Sequence, residues 1–291
     1  MGKLSKEKRD VYYRKAKEEG WRARSAFKLL QINEQFDIFS SVTKVVDLCA
    51  APGSWSQVLS RSLPHDSAQI VAVDLQPMAP LDGVIQIQGD ITKSSTVTEI
   101  LGHFGGVKAD LVVSDGAPDV TGMHDLDEYV QHQLIVAALN ITTLLIKEGG
   151  TFVAKIFRGR DAALMIAQLR IFFEDVVIAK PRSSRNSSLE GFVVCRGYRS
   201  PPDFTPSLDN VFEVMQYSSE ELLAGANREL VPFVLCGDLS GFDADMGYDL
   251  AADAHVQAPT APPTDPPYKF AKKLQETQAL GRPEGMSGSK E

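Results

Sequence analysis

The segment VVDLCAAPGSWSQVL at 45–59 constrains the fold more than any other stretch of the chain. An apolar run ends in Asp47, a turn of small residues follows (Ala50, Ala51, Pro52, Gly53), and a helical pattern then begins. Small residues at a strand-to-helix turn let a ligand approach the backbone closely. The unpaired N–H groups of the new helix offer a site for an anion. The glycine pattern of a dinucleotide fold, GxGxxG, is absent, since the turn reads AAPGSW.

The same alternation continues along the chain. Short β-rich apolar runs are predicted as strands at 44–48, 70–75, 84–88, 109–114, 151–157, 175–179 and 191–196. Helical periodicity is read over 55–62, 126–146 and 161–173, and Lys6–Gln35 reads as one or two helices ahead of the sheet. This order predicts an α/β fold, an open, mostly parallel seven-stranded sheet with helices on both faces. The last two strands are joined by KPRSSRNSSLE, too short for a parallel crossover, so the last strand is predicted antiparallel. After Tyr198 the composition shifts. Residues 199–250 form an acidic extension with a candidate helix at Ser218–Ala226, and 251–291 form a proline-rich tail carrying a short helical candidate, KFAKKLQETQAL.

Several classes are disfavoured by composition. No run of 18 apolar residues exists, and the basic N-terminus lacks an apolar stretch, so neither a membrane span nor a secretory signal is expected. Glu7, Asp10, Glu18 and Glu19 argue against a mitochondrial presequence. Three cysteines without a CxxC pair and five scattered histidines imply a reducing compartment and no structural metal. The net charge of −8 is unevenly spread: residues 1–28 carry ten Lys/Arg against four Asp/Glu, whereas 199–291 carry seven against fifteen. Local potential attracts a phosphate backbone, so the basic N-terminal face is compatible with a nucleic-acid partner; a merely solvated lysine-rich helix is the competing reading.

Three acids close successive strands: Asp47, then Asp74 in IVAVDL, then Asp90 in IQGD. An acid at the second strand tip can accept both ribose hydroxyls of a nucleoside, and one at the third can accept from an adenine amino group. Taken singly, each is more often a helix cap than a ligand. Together with the turn they favour an adenosyl cofactor over a nicotinamide one. Four further residues are predicted to converge on the same edge: Asp115 after the fourth strand, Lys155 in the fifth, Glu190 at the start of the antiparallel strand, and Lys28 if its helix docks there. Structural ion pairing explains such charges equally in kind. The functional reading is proton transfer from a hydroxyl, for which a lysine must be neutral. Burial and a nearby cation lower its pKa and acids raise it, and the sequence leaves that balance open.

These motifs, GWRARSAFKL, VDLCAAPGSWSQVL, SDGAPDVTG, GGTFVAKIF and RSSRNSSLEGFVV, resemble the FtsJ family of RNA ribose 2′-O-methyltransferases over residues 1–198. The resemblance implies the Rossmann-like methyltransferase sheet. It implies a Lys-Asp-Lys-Glu tetrad at Lys28, Asp115, Lys155 and Glu190, with Lys155 as general base. It also implies an S-adenosylmethionine site at Gly53, Trp55, Asp74, Asp90 and Asp115. The VPFVLCGDLSGFDAD stretch resembles the eukaryotic cytoplasmic tRNA branch, which implies methylation of anticodon-loop riboses and separate WD-repeat and helical-repeat partner proteins. Trp21 and Phe27 stand where tyrosines are common; stacking on RNA or packing fits both. The expected RNA surface is Lys8, Arg9, Arg14, Lys15, Arg22 and Arg24, with Lys180, Arg182 and Arg185 beside Glu190. The acidic 199–250 segment is expected to dock protein. A ribosomal RNA substrate, or a catalytically silent RNA-binding scaffold, is the alternative reading.

Overall fold

In the computed structural model, residues 10–118, 124–159, 162–202, 204–208, 233–238 and 240–241 are described, all within one compact unit. Lys8, Arg9 and the helical candidates at Ser218–Ala226 and KFAKKLQETQAL lie outside them. The N-terminal pattern resolves into two helices, α1 (Val11–Glu18) and α2 (Ala26–Phe36). Then follow β1 (Lys44–Leu48), α3 (Ser54–Ser62), β2 (Gln69–Asp74), β3 (Val84–Gln88), α4 (Ser94–His103), β4 (Ala109–Ser114), α5 (His124–Leu145), β5 (Ile146–Phe157), α6 (Ala162–Phe172), β6 (Phe173–Pro181), β7 (Glu190–Tyr198) and β8 (Phe233–Cys236).

The strands form one sheet in the order β3-β2-β1-β4-β5-β7-β6-β8. All neighbours run parallel except β7, which is antiparallel to both β5 and β6, as the short connection requires. The seven expected strands are present, and β8 adds an eighth: it pairs parallel with β6 through Ile178↔Phe233 to Pro181↔Cys236. Chain order reverses between β1 and β4, the crevice where open α/β sheets bind ligands at their carboxyl ends.

Alternation along the strands separates two cores. On one face Val46, Leu48, Val73, Val112, Phe152, Ala154 and Ile156 pack against Ile100 of α4, Ile135 and Leu139 of α5 and Leu169 of α6. On the other, Val45, Ile70, Leu111, Val113, Val153 and Phe192 pack against Leu29 and Ile32 of α2 and Trp55, Val58 and Leu59 of α3. Leu29 and Ile32 are fully buried; at roughly 1.5–3 kcal/mol each, they fix α2 over the sheet edge. Two further contacts orient α2: the Trp55 indole N–H donates to the Ser25 carbonyl at 2.9 Å, and the Ser25 and Ser54 hydroxyls lie 2.5 Å apart.

Candidate active site

The strand ends at the crevice carry the chemistry. Leu48 pairs with Val73 and Ser114, and Ser114 with Ala154, so the residues after β1, β2 and β4 emerge side by side. Glu190 pairs with Phe157 and Phe192 with Lys155, which brings the start of β7 to the same edge. Lys155 follows Val153 at the strand's two-residue period and so shares the face covered by α2. Lys28 reaches it from α2, with its ammonium 5.6 Å from the centre of the Phe192 ring.

The four predicted residues meet. Glu190 Oε2 accepts from Lys28 Nζ at 2.7 Å and lies 3.3 Å from Lys155 Nζ. Lys155 Nζ is 3.5 Å from Asp115 Oδ1. Ser184, a partner the sequence reading missed, donates its hydroxyl to Glu190 Oε1 at 2.7 Å. Burial pushes the Glu190 carboxyl up, but Lys28, Lys155 and the Ser184 hydroxyl outweigh it and hold it well below the usual carboxylate range. Burial lowers the Lys155 pKa, but Asp115 and Glu190 more than offset this and raise it above its ordinary value. The balance left open by the sequence therefore falls on the acids' side, and Lys155 is an ammonium at neutral pH. An open basin of about 230 Å³ adjoins the cluster at Lys28 and Glu190 and is lined also by Arg24, Arg185 and Ser188.

Behind the turn, Gly53 has φ +96°, and a Cβ there would sit 2.6 Å from Arg22 Nη1. Left-handed backbone and this close approach both demand glycine. Asp74 accepts from the amides of Ala51 (2.9 Å) and Gln76 (2.8 Å), which shapes the turn around the second strand tip. Asp90 accepts from the amide and hydroxyl of Thr92 through Oδ1. Gly116, after Asp115, is closely packed: a Cβ there would sit 2.9 Å from the Leu134 side chain and 3.1 Å from Cys49. Asp115 Oδ1 is buried and accepts no close hydrogen bond, facing the Lys155 ammonium at 3.5 Å. A carboxylate oxygen that accepts no close hydrogen bond, a helix N-terminus behind a glycine turn and a row of acids at the strand tips fit a cationic adenosyl cofactor bearing a carboxylate.

Several expected residues lie elsewhere than a free surface. Trp55 is 1% exposed, with its ring 5.5 Å from Phe192 in the core, so only its first-turn backbone N–H can face a ligand. Arg22 is 7% exposed and is a brace: Nη1 donates to the Pro52 carbonyl at 3.0 Å and Nη2 to the Pro80 carbonyl at 2.7 Å. It clamps the cofactor turn to the loop after β2, and burial lowers its pKa. Lys180 is 4% exposed and donates to the carbonyls of Ser188 (2.8 Å) and Glu190 (2.6 Å), holding the base of the loop. Arg182 is half-buried, and its amide donates to the Cys236 carbonyl of β8. The Arg22 charge sits beside carbonyls of distant segments and the Lys180 charge beside carbonyls of its own loop, which charge patterning does not show. Arg24 and Arg185 do line the basin. Both bond Asp10, the N-cap of α1, and Arg24 also donates to the Ser183 carbonyl at 2.5 Å. Arg14 and Lys15 are half-buried on α1. Phe27 packs against Tyr12 at 5.4 Å, and Trp21 lies under the Arg61 guanidinium at 4.3 Å, so both make packing contacts within the fold.

Comparison with known proteins bears on this site. Residues 21–198 match the family described as FtsJ-like methyltransferase. A mouse tRNA (cytidine(32)/guanosine(34)-2′-O)-methyltransferase is 59% identical over 288 residues, covering 97% of this chain and 89% of its own. A protein of the same name from Schizosaccharomyces pombe is 54% identical over 293 residues, covering 96% of this chain and all of its own. A solved structure described as a ribosomal RNA methyltransferase of Plasmodium falciparum superposes with a TM-score of 0.55 at 24% identity, over 61% of this chain and 98% of that one, a likeness of fold alone.

Proposed function

The chain belongs to the FtsJ-like methyltransferase family, and from that premise we propose that it methylates ribose 2′-hydroxyls of the tRNA anticodon loop at positions 32 and 34, the nucleotides in the names of its relatives. The observation that carries the reading is the convergence of Lys28, Asp115, Lys155 and Glu190, of which Lys28 and Glu190 line an open basin flanked by Arg24 and Arg185.

S-adenosylmethionine, when bound, supplies an electrophilic methyl group on a sulfonium centre. Gly53 and the first-turn amides of α3 suit its carboxylate, Asp74 its ribose, Asp90 its adenine amino group and Asp115 its cationic end. Lys155 takes the proton from the attacking 2′-hydroxyl. It does so as a neutral amine, so it first gives up to solvent the proton that Asp115 and Glu190 stabilise on it. Because Lys28 already shares Glu190 Oε2, Lys155 is incompletely neutralised, which eases that loss. Arg24 and Arg185 hold the phosphates flanking the target and read no sequence.

In this reading residues 1–198 are the catalytic domain, and the proline-rich 251–291 stretch lies outside the described residues. The acidic 199–250 segment docks WD-repeat and helical-repeat subunits that choose the nucleotide, in the cytoplasm. Among the described residues no helix is long and apolar enough to cross a membrane. Replacing Asp243, Asp245 and Asp249 with Asn, which spares β8, weakens capture of those subunits; undiminished capture refutes the docking role. The activity itself is tested by transfer of labelled methyl from S-adenosylmethionine into an unmodified anticodon stem-loop, with and without candidate subunits. Label appears in the ribose form and is lost in the 2′-deoxy form at position 32 or 34. Equal labelling of both forms, or label only in ribosomal RNA, overturns the assignment.

A further inference from the structure

Gln131 interrupts an apolar stripe. On α5 it shares a face with Ile135, Ala138 and Leu139, all packed on the sheet, and it is itself 2% exposed. Burying a primary amide there is costly unless its hydrogen bonds are made. Only the nitrogen's bonds are made: Nε2 donates to the Gly116 carbonyl at 3.2 Å and to the Lys155 carbonyl at 3.0 Å, while the buried Oε1 accepts none. Since both acceptors are carbonyl oxygens, only the NH₂ end can face them, which fixes the amide's orientation.

These two carbonyls flank the catalytic residues. Gly116 follows Asp115, and Lys155 is the proposed base. The β4–β5 ladder closes at Ser114↔Ala154, so beyond that pair the strands no longer bond to each other. The Lys155–Asp115 ion pair lies just past this end, at 3.5 Å. A single side chain from α5 bridges the gap that the sheet leaves open.

We infer that Gln131 is a positioning residue for methyl transfer, a cross-strand clamp that sets the Lys155–Asp115 geometry from behind. This rests on the proposed function for its kinetic consequence. The clamp itself is a property of the backbone. Without it, the Asp115–Gly116 segment and the end of β5 separate, and Lys155 drifts from the hydroxyl it serves. A misplacement near 1 Å at such a point costs about 100-fold in rate.

Gln131→Met keeps length and removes both donors; Gln131→Glu keeps shape and turns donors into acceptors. Thermal melting establishes that each is folded. In both, kcat for the anticodon stem-loop falls roughly 10–100-fold, while the KM for RNA and the Kd for S-adenosylmethionine stay within about twofold. Amide hydrogen exchange near Gly116 and Ile156 speeds up with no RNA present. Should the parent protein methylate no ribose, the proposed function fails while exchange still tests the clamp. Unchanged exchange in Gln131→Met overturns the clamp. So does a kcat within twofold of the parent, or an equal loss of cofactor affinity.

Discussion

Replacing Glu190 with Gln perturbs the tetrad while preserving its shape. Glu190 supplies one of the two negative charges that keep Lys155 protonated, at 3.3 Å, and is the hydrogen-bonded partner of Lys28 at 2.7 Å. At 3.3 Å and an effective dielectric constant near 20, a charge pair is worth about 5 kcal/mol. Lys28 shares the same oxygen, so only part of this acts on Lys155. Even a third of it exceeds the roughly 1.4 kcal/mol that equals one pKa unit. Glu190→Gln therefore lowers the Lys155 pKa by at least about one unit. In the parent the single-turnover rate rises with pH through the alkaline range, since the raised Lys155 must lose its proton. In the variant that rise moves to lower pH. Stability changes as well: leaving two buried ammonium groups short of a partner costs about 3–5 kcal/mol, the lower end if the amide oxygen still accepts from Lys28. Glu190 also has a depressed folded-state pKa, so its contribution is fully present above the unfolded value of 4.5 and is lost as pH falls. Urea unfolding of the variant is flatter in that acid range. A pH–rate profile that stays within about 0.3 unit of the parent's would refute the electrostatic reasoning.

Further outcomes follow from the same structure. Gly53→Ala combines left-handed strain of about 1–2 kcal/mol with displacement of the Arg22 guanidinium, and weakens S-adenosylmethionine binding about tenfold or more by calorimetry. Arg22→Ala lowers cofactor affinity but leaves the salt dependence of RNA binding unchanged, because Arg22 bonds Pro52 and Pro80 and not solvent. Arg185→Ala raises the KM for RNA, leaves kcat unchanged and reduces the slope of log affinity against log salt by about 0.7–0.9. Asp47 is fully buried, and burial, partly relieved by the Ser56 hydroxyl, raises its carboxyl from 3.8 to about 7. The folded protein thus keeps a proton that the unfolded chain releases, and stability from this group declines as pH rises from 3.8 towards 7. Asp47→Asn removes that decline in melts recorded across this range.

The edge where the tetrad meets was legible in the sequence because Asp115 and Glu190 are tied to strand ends, which are visible as breaks in apolar alternation, and Lys155 is a charge inside an apolar strand. Asp74, Asp115 and Glu190 lie where β2, β4 and β7 end or begin, and the short KPRSSRNSSLE connection dictated the antiparallel turn that brings Glu190 round. The helix α4 escaped notice because SSTVTEILGH mixes β-branched residues with a glycine, a weak helical pattern stabilised by the burial of Val97 and Ile100. The strand β8 escaped because four residues within an acidic segment carry little periodicity; pairing with β6 makes them a strand. Arg22 and Lys180 were misread for a common reason. Their charges looked like surface, but carbonyls from Pro52, Pro80, Ser188 and Glu190 satisfy them inside the fold. Gln131 gave no signal, since one amide on an apolar helix face does not announce two acceptors on separate strands.

The most direct test of Lys155 as the proton acceptor is the single-turnover rate of methyl transfer to the anticodon stem-loop by Lys155→Met, at saturating RNA and S-adenosylmethionine, with both affinities measured separately. Removal of a general base lowers the rate by about 10²–10⁴ with affinities close to the parent's, and abolishes the alkaline rise. A rate within tenfold of the parent's that still rises with pH would contradict the assignment and move the proton to another group.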